Sequence, residues 1–169
     1  QMLGNTIVHS SWDNIEKSVL MNAHAKKGNL RTFALNGEYF PGEKGSIDFD
    51  INMDKLNLDL FNPYVKNVAN DLKGLATGDL KLSGTLKEPV ITGEIMMQEA
   101  AVTVNYLNTR YRFTDKVRIE SNQIMFDDIL LYDQYRNSSI LNGTISNTYF
   151  KDFRLNLSLD ARSFQFLNT

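Results

Sequence analysis

From Gly74 to Ile95 the chain alternates with a period of two, and this stretch constrains the fold more than any other. Ala76, Gly78, Leu80, Leu82, Gly84 and Leu86 share one parity. Thr77, Asp79, Lys81, Ser83, Thr85 and Lys87 share the other. Successive strand side chains point to opposite faces of a sheet, so the pattern predicts a strand with an apolar and a polar side. Lys87-Glu88-Pro89 interrupts it, because proline donates no ladder hydrogen bond and holds its predecessor extended or in a turn. A second strand follows, with Ile91, Gly93, Ile95 and Met97 on one parity. The unit reads as a hairpin, and the question it raises is what covers its apolar side.

The same alternation recurs along the chain. It is present from Ile15 to Ala25, from Leu30 to Tyr39, and from Ser46 to Asp54, where Ile47, Phe49, Ile51 and Met53 oppose Ser46, Asp48, Asp50, Asn52 and Asp54. Turn residues separate these runs, at Lys27-Gly28-Asn29 and Phe40-Pro41-Gly42-Glu43-Lys44-Gly45. Later strands are expected at Ala101 to Leu107, Tyr111 to Phe113, Lys116 to Glu120, around Ile124 and Phe126, Ser139 to Ser146, and through Phe153, Leu155, Leu157 and Leu159. Ile129 to Tyr132 is apolar on both parities and has no assigned face. Short strands with brief turns imply an antiparallel meander, since parallel pairs need long crossovers. One helix is expected, over about residues 60–73. Asn62 suits an N-cap, Pro63 a first helical position and Gly74 a left-handed C-cap, with Tyr64, Val65, Val68, Ala69 and Leu72 as the apolar stripe. The fold class is therefore all-β, with one short α-helix.

At 169 residues and a net charge of −2 the chain carries no basic stripe of the kind nucleic acid requires. It has no cysteine, so neither disulfides nor thiolate metal sites are available. No run approaches the roughly 20 apolar residues of a membrane-spanning helix, and Gln1 to Asn5 lack the pattern of a signal peptide. The abrupt start and the strand-like finish at Leu167-Asn168-Thr169 lead us to expect residues 1–169 to be one β-rich segment of a larger protein.

Few residues suggest chemistry. His9-Ser10-Ser11-Trp12-Asp13 contains the residue types of a hydrolytic triad, but adjacency in sequence is not triad geometry. Asp127, Asp128 and Asp133 lack the regular oxygen spacing of a calcium loop and read as strand ends. Gly74 and Gly78 open a strand instead of preceding a helix, so they form no phosphate loop. No catalytic residue, metal or cofactor is assigned. Gly78, Gly84, Gly93 and Gly143 fall on the apolar parity, where glycine marks a bend or a close approach. Tyr106, Tyr111, Tyr132 and Tyr135 suit a rim with one wet end.

An ordered set of motifs gives a more specific reading. Asp59-Leu-Phe-Asn-Pro63-Tyr64 precedes the run Gly74-x3-Gly78-x5-Gly84-Thr-Leu-x2-Pro89-x3-Gly93. Tyr106-Leu-Asn-Thr-Arg-Tyr111, Ile124-Met-Phe-Asp-Asp128 and Leu141-Asn-Gly-Thr-Ile145 follow it. From about Ile47 onward the chain resembles the C-terminal domain of the TamB family (translocation and assembly module) within the AsmA-like group, in the style of members from Bacteroidetes-type bacteria. The resemblance implies an antiparallel meander curled into a U-shaped, β-taco-like hydrophobic trough, best matched over residues 74–169. It implies a protein anchored in the inner membrane and spanning the periplasm of the bacterial cell envelope, which carries phospholipid acyl chains toward the outer membrane. The alternative it implies is assembly of outer-membrane β-barrel proteins by strand templating, beside a BamA- or TamA-like β-barrel partner. Edge-to-edge self-association is a further possibility of an open sheet. The groove lining expected on this basis is Leu80, Leu82, Leu86, Ile95, Met97, Val102, Val104 and Ile119, with Phe126, Leu141, Ile145, Phe153, Leu155, Leu157 and Leu159. Periodicity alone favours a different outcome, in which those residues fill a closed sandwich or barrel.

Overall fold

A computed structural model describes residues 4–42, 45–149, 151–161 and 163–167. Gln1 to Leu3, Glu43 and Lys44 of the expected turn, and Asn168-Thr169 lie outside the described residues. Ten strands form one sheet in the order of the chain: β1 (Asn5–Asp13), β2 (Ser18–Lys27), β3 (Leu30–Phe40), β4 (Ser46–Asn57), β5 (Ala69–Thr85), β6 (Pro89–Val104), β7 (Thr109–Glu120), β8 (Gln123–Tyr132), β9 (Ser138–Thr148) and β10 (Lys151–Ala161). Each pairs antiparallel with its sequence neighbours, and β1 and β10 are the two edges of an open meander. The expected all-β meander is therefore correct, and the sheet is not sealed into the closed body that periodicity alone favoured.

The strands run longer than the sequence suggested. The alternation from Gly74 and the run from Ala101 belong to strands β5 and β6 of 17 and 16 residues. Tyr111 to Phe113 and Lys116 to Glu120 are parts of the single strand β7. The chain also begins one strand earlier than the alternation indicated, because β1 carries polar residues at both parities.

The helical segment differs from expectation. A 3-10 turn (Leu58–Phe61) leads into an α-helical turn, α1 (Asn62–Val65), and Val68, Ala69 and Leu72 lie beyond it, the last two in β5. Asn62 does not cap the helix. Its side-chain amide donates to the Leu72 carbonyl at 3.0 Å and its oxygen accepts from the Leu72 amide at 2.8 Å. A side chain thus acts as a strand partner beside Asp71 (φ 52), where the β5–β6 register shifts. Gly74, with φ 113, is inside β5, and a Cβ there would press on the Ala100 backbone at 2.8 Å. Extended pairing of this stretch with β6 outcompetes a helix of this length, which is marginal without tertiary support.

Bulges recur on the even strands. Lys55 in β4, Glu99 in β6, Asp128 in β8 and Asp152 in β10 all have φ between 49 and 51. The register shifts between Met53 and Leu56, Met97 and Ala100, Phe126 and Ile129, and Lys151 and Arg154. A bulge inserts one residue and sharpens the local twist. Three of these bulge amides donate to a side chain on the next strand: Lys55 to Thr77 at 3.0 Å, Glu99 to Thr114 at 2.9 Å and Asp128 to Asn142 at 2.8 Å. The extra residue would otherwise leave its N–H unpaired in the ladder.

Three of these bulges keep apolar side chains on one face. Met53 and Leu56, Met97 and Ala100, and Phe126 and Ile129 are three apart, a spacing that would flip the face in a regular strand. This settles the Ile129–Tyr132 run. Ile129 and Leu131 are buried on the apolar side, while Leu130 and Tyr132 are exposed on the other.

Candidate functional site

The register joins the apolar parities of all ten strands into one face. Its central row runs Val8, Ala23, Leu35, Ile51, Leu80, Gly93, Ile119, Ile124, Ile145 and Leu155, each paired with the next. At the usual strand spacing this row is roughly 40 Å long. None of its members is buried: Val8 and Leu155 at the edges are exposed, and the eight between are intermediate. The flanking row Ala25, Phe33, Met53, Gly78, Ile95 and Val117 is more enclosed, with Val117 at 1% and Met53 at 4% exposure.

Most of the expected lining lies on this face. Leu80, Leu82, Ile95, Met97, Val102, Val104, Ile119, Phe126, Leu141 and Ile145 all do. Leu155, Leu157 and Leu159 join it from the edge strand β10, where Phe153 is also exposed. Leu86 does not. β5 ends at Thr85, and Leu86 sits in the following turn, 65% exposed. The sequence reading omitted the β2–β4 contribution, notably Leu35, Phe49, Ile51 and Met53, although their alternation was plain. Pairing register, which no single strand contains, is what unites them with β5.

Glycines lie between large residues on this face. Met53–Gly78–Ile95, Leu80–Gly93–Ile119 and Phe126–Gly143–Leu157 are each successive partners on three strands. Gly93 (φ 139) and Gly143 (φ 127) adopt backbone that side chains rarely permit, and a Cβ would meet the Asp79 and Asn156 carbonyls respectively. These are bends in the strand, with the flanking side chains meeting across the gap. Met53 and Ile95 belong to one packed cluster in this way.

Two segments cover one end of the face. Leu58 and Leu60 of the 3-10 turn pack against Met53, Leu56, Ala76, Ile95 and Ala100. Beyond β10 the chain folds back so that the Phe164 ring stacks on Tyr111 of β7, with centroids 5.4 Å apart and planes within 5°. The Tyr111 hydroxyl donates to the carbonyls of Gln165 (3.2 Å) and Phe166 (3.1 Å). Burial, and secondarily the nearby Asp133 charge, push this phenol above the usual tyrosine value, against hydrogen bonding to Thr109, so it remains a donor. Tyr111 is thus a buried anchor and not a rim residue, whereas Tyr106 and Tyr135 are exposed.

Asp133 fastens the same strap. It is fully buried, and its carboxylate accepts from the Tyr135 and Asn137 amides, the Asn137 side chain and the Gln165 amide, all within 2.9 Å. Burial pushes its pKa up, but the Asn137 side chain and then the three amides outweigh it and hold the carboxyl below its ordinary value. Asp133 is a structural acceptor, with both carboxylate oxygens engaged by donors of the chain itself. Among the described residues no three His, Asp or Glu side chains gather as a metal site.

The opposite face is polar. Lys81 bridges Asp48 and Asp50 of β4, Lys116 pairs with Glu94 at 3.0 Å, and the Asn52 side chain donates to Asp79 at 2.8 Å. The two aspartates, Asp48 first, raise the Lys81 pKa. In β1, His9, Ser11 and Asp13 alternate against Ser10 and Trp12, and the Asp13 carboxylate caps the Ile15 and Glu16 amides at 2.7 and 3.1 Å. They form no triad. No helix among the described residues is long and apolar enough to cross a membrane. Compared with protein-family models, curated proteins and solved structures, the chain has no significant match.

Proposed function

We propose that this chain is a segment of a lipid conduit, binding phospholipid acyl chains along its apolar face as along the lining of a trough. The observation that carries the reading is the row from Val8 to Leu155, apolar apart from one glycine, continuous over ten strands and without one buried member. An apolar strip of this length, left partly in contact with water, is a surface that gains by being covered. Each CH₂ laid on it contributes about 0.8 kcal/mol without any polar contact, so the attraction is non-directional and permits sliding. The resemblance of the motifs to the TamB family supports the same reading, and in that reading the chain works in the periplasm as part of a protein anchored at the inner membrane. Bends at Gly93 and Gly143 and the bulges on even strands are what a strand curved around a trough requires. The site has no catalytic role in this reading.

The test is to purify the chain from bacterial membranes, extract it and identify lipid by mass spectrometry, then measure uptake of a fluorescent fatty acid. Copurified phospholipid and saturable uptake are expected. A lipid-free chain that takes up no probe would sink the proposal.

A second reading is strand templating of outer-membrane β-barrel proteins. The outer edges of β1 and β10 have no partner strand among the described residues, and Ile7, Val8 and Trp12 on β1 are exposed. Such edges accept another strand. Crosslinks from β1 to an unfolded barrel strand, in lipid-free protein, would favour it.

A further inference from the structure

The face opposite the apolar row contains a groove of about 760 Å³ where β5, β6, β7 and β8 meet. One row of paired residues crosses it: Lys73, Ala101, Arg112 and Tyr132. Gly74 and Ala101 make a low floor, and Arg110 and Arg136 complete a basic wall. Leu130 and Tyr132 stand at its side, 43% and 39% exposed.

Charge is unevenly distributed here. The whole chain carries −2, yet four cations line or flank this groove. Asp71 engages both Lys73, at 2.8 Å, and Arg110, and their hydrogen bonds, Lys73 first, hold its carboxyl below the ordinary range. Glu99 also lines the groove. Arg112 and Arg136 form no ion pair among the described residues. A guanidinium fork matches a phosphate oxygen pair bidentately, and an aromatic and an aliphatic side chain beside it offer contact to an apolar substituent.

We propose that this groove binds a phosphate monoester with an apolar or aromatic ester group. Arg112 and Arg136 hold the oxyanion, and Tyr132 with Leu130 packs the substituent. The site is on the face opposite the conduit, so the two readings stand or fall separately.

The test titrates isotope-labelled chain at low salt with inorganic phosphate and with phenyl phosphate, following amide resonances. Saturable shifts confined to the neighbourhood of Gly74, Ala101 and Thr114 are expected, with phenyl phosphate tighter by about tenfold. Arg112→Gln and Arg136→Gln should each weaken binding by about tenfold or more, with unchanged circular dichroism. Vesicles containing phosphatidic acid, a lipid phosphate monoester, identify the source: retention lost in Arg112→Gln points to a lipid headgroup, and phenyl phosphate binding without retention points to a soluble ester. Shifts that never saturate, that scatter over the surface lysines, or that survive both substitutions would overturn the proposal.

Discussion

Asp128 and Asn142 hold each other across β8 and β9 by two reciprocal hydrogen bonds. The Asp128 amide donates to Asn142 Oδ1 at 2.8 Å, and Asn142 Nδ2 donates to Asp128 Oδ1 at 2.9 Å. Thr77 and Thr114 perform the first half of this task at the bulges of β4 and β6, each accepting one amide. The bulges are thus a repeated device: an even-strand residue in the left-handed region, and a side-chain oxygen on the next strand that replaces the missing ladder acceptor.

Replacing that oxygen should destabilise the chain without unfolding it. For Asn142→Ala we expect a loss of about 1 kcal/mol, the net worth of a hydrogen bond at a site water can reach. That corresponds to a melting temperature lower by roughly 2–4 °C in a chain of this size. Asn142→Thr should recover about half, because threonine supplies the acceptor used at the other two bulges. Thermal unfolding followed by far-ultraviolet circular dichroism reads both; an Asn142→Thr protein no more stable than Asn142→Ala would contradict the assignment.

The bends make a larger prediction. At Gly143 a side chain meets two obstacles, a φ of 127° and the Asn156 carbonyl of the adjacent strand. Strain and overpacking together put Gly143→Ala at about 3 kcal/mol, or roughly 6–12 °C in melting temperature. Gly42→Ala is the control, since nothing lies within 4 Å of a Cβ there, and it should leave stability unchanged or slightly raised. Equal melting temperatures for the two variants would mean the strand at Gly143 is not bent as described.

The alternation from Ala76 to Thr85 was enough to assign β5 and to separate its two faces, because a period of two has one structural meaning when one side is buried. The bulges were not legible. Met53-Asp-Lys-Leu56, Met97-Gln-Glu-Ala100 and Phe126-Asp-Asp-Ile129 each look like a broken alternation, and only the partner strand shows that the added residue preserves the face. Asn62-Pro63 carried an honest helix-start signal, but Asn62 bonds more advantageously to Leu72 across ten residues of chain than to its own first turn. The Phe164 strap was invisible for a related reason, since its anchors Tyr111 and Asp133 are distant in sequence and ordinary in type.

The strap should come loose in acid. The folded-state pKa of Asp133 is depressed, so its contribution is fully present above the unfolded carboxyl value of about 3.9 and fades as pH falls through the lower folded value. Protonation removes the acceptor that fastens the Gln165 amide. Near-ultraviolet circular dichroism of the stacked Tyr111–Phe164 pair should therefore hold steady from neutrality to about pH 4 and decline below it. Asp133→Asn should start weaker and lose that acid step, which separates this group from the other carboxyls titrating in the same range. An identical acid profile in the variant would place the transition elsewhere.

The apolar row can be tested by charge placement, using Leu86, an expected lining residue that lies beyond the end of β5. Leu82 lies beside Phe49 and Ile91 in the middle of the sheet, whereas Leu86, four residues later, is in a turn with its side chain in water. If acyl chains lie along this face, Leu82→Asp must place a carboxylate in their path, and the cost of burying it without a partner is several kcal/mol. Uptake of a fluorescent fatty acid should then fall by about a hundredfold or more, since each 1.4 kcal/mol is tenfold. Leu86→Asp should bind as the parent does. Leu157→Asp on the edge strand β10, where the residue is 38% exposed, should fall between them because water can reach the charge. Far-ultraviolet circular dichroism confirms that the strands persist, and a loss of uptake counts only where they do. Parent-like uptake in folded Leu82→Asp, or loss in Leu86→Asp equal to that in Leu82→Asp, would show that the ligand does not lie on this face.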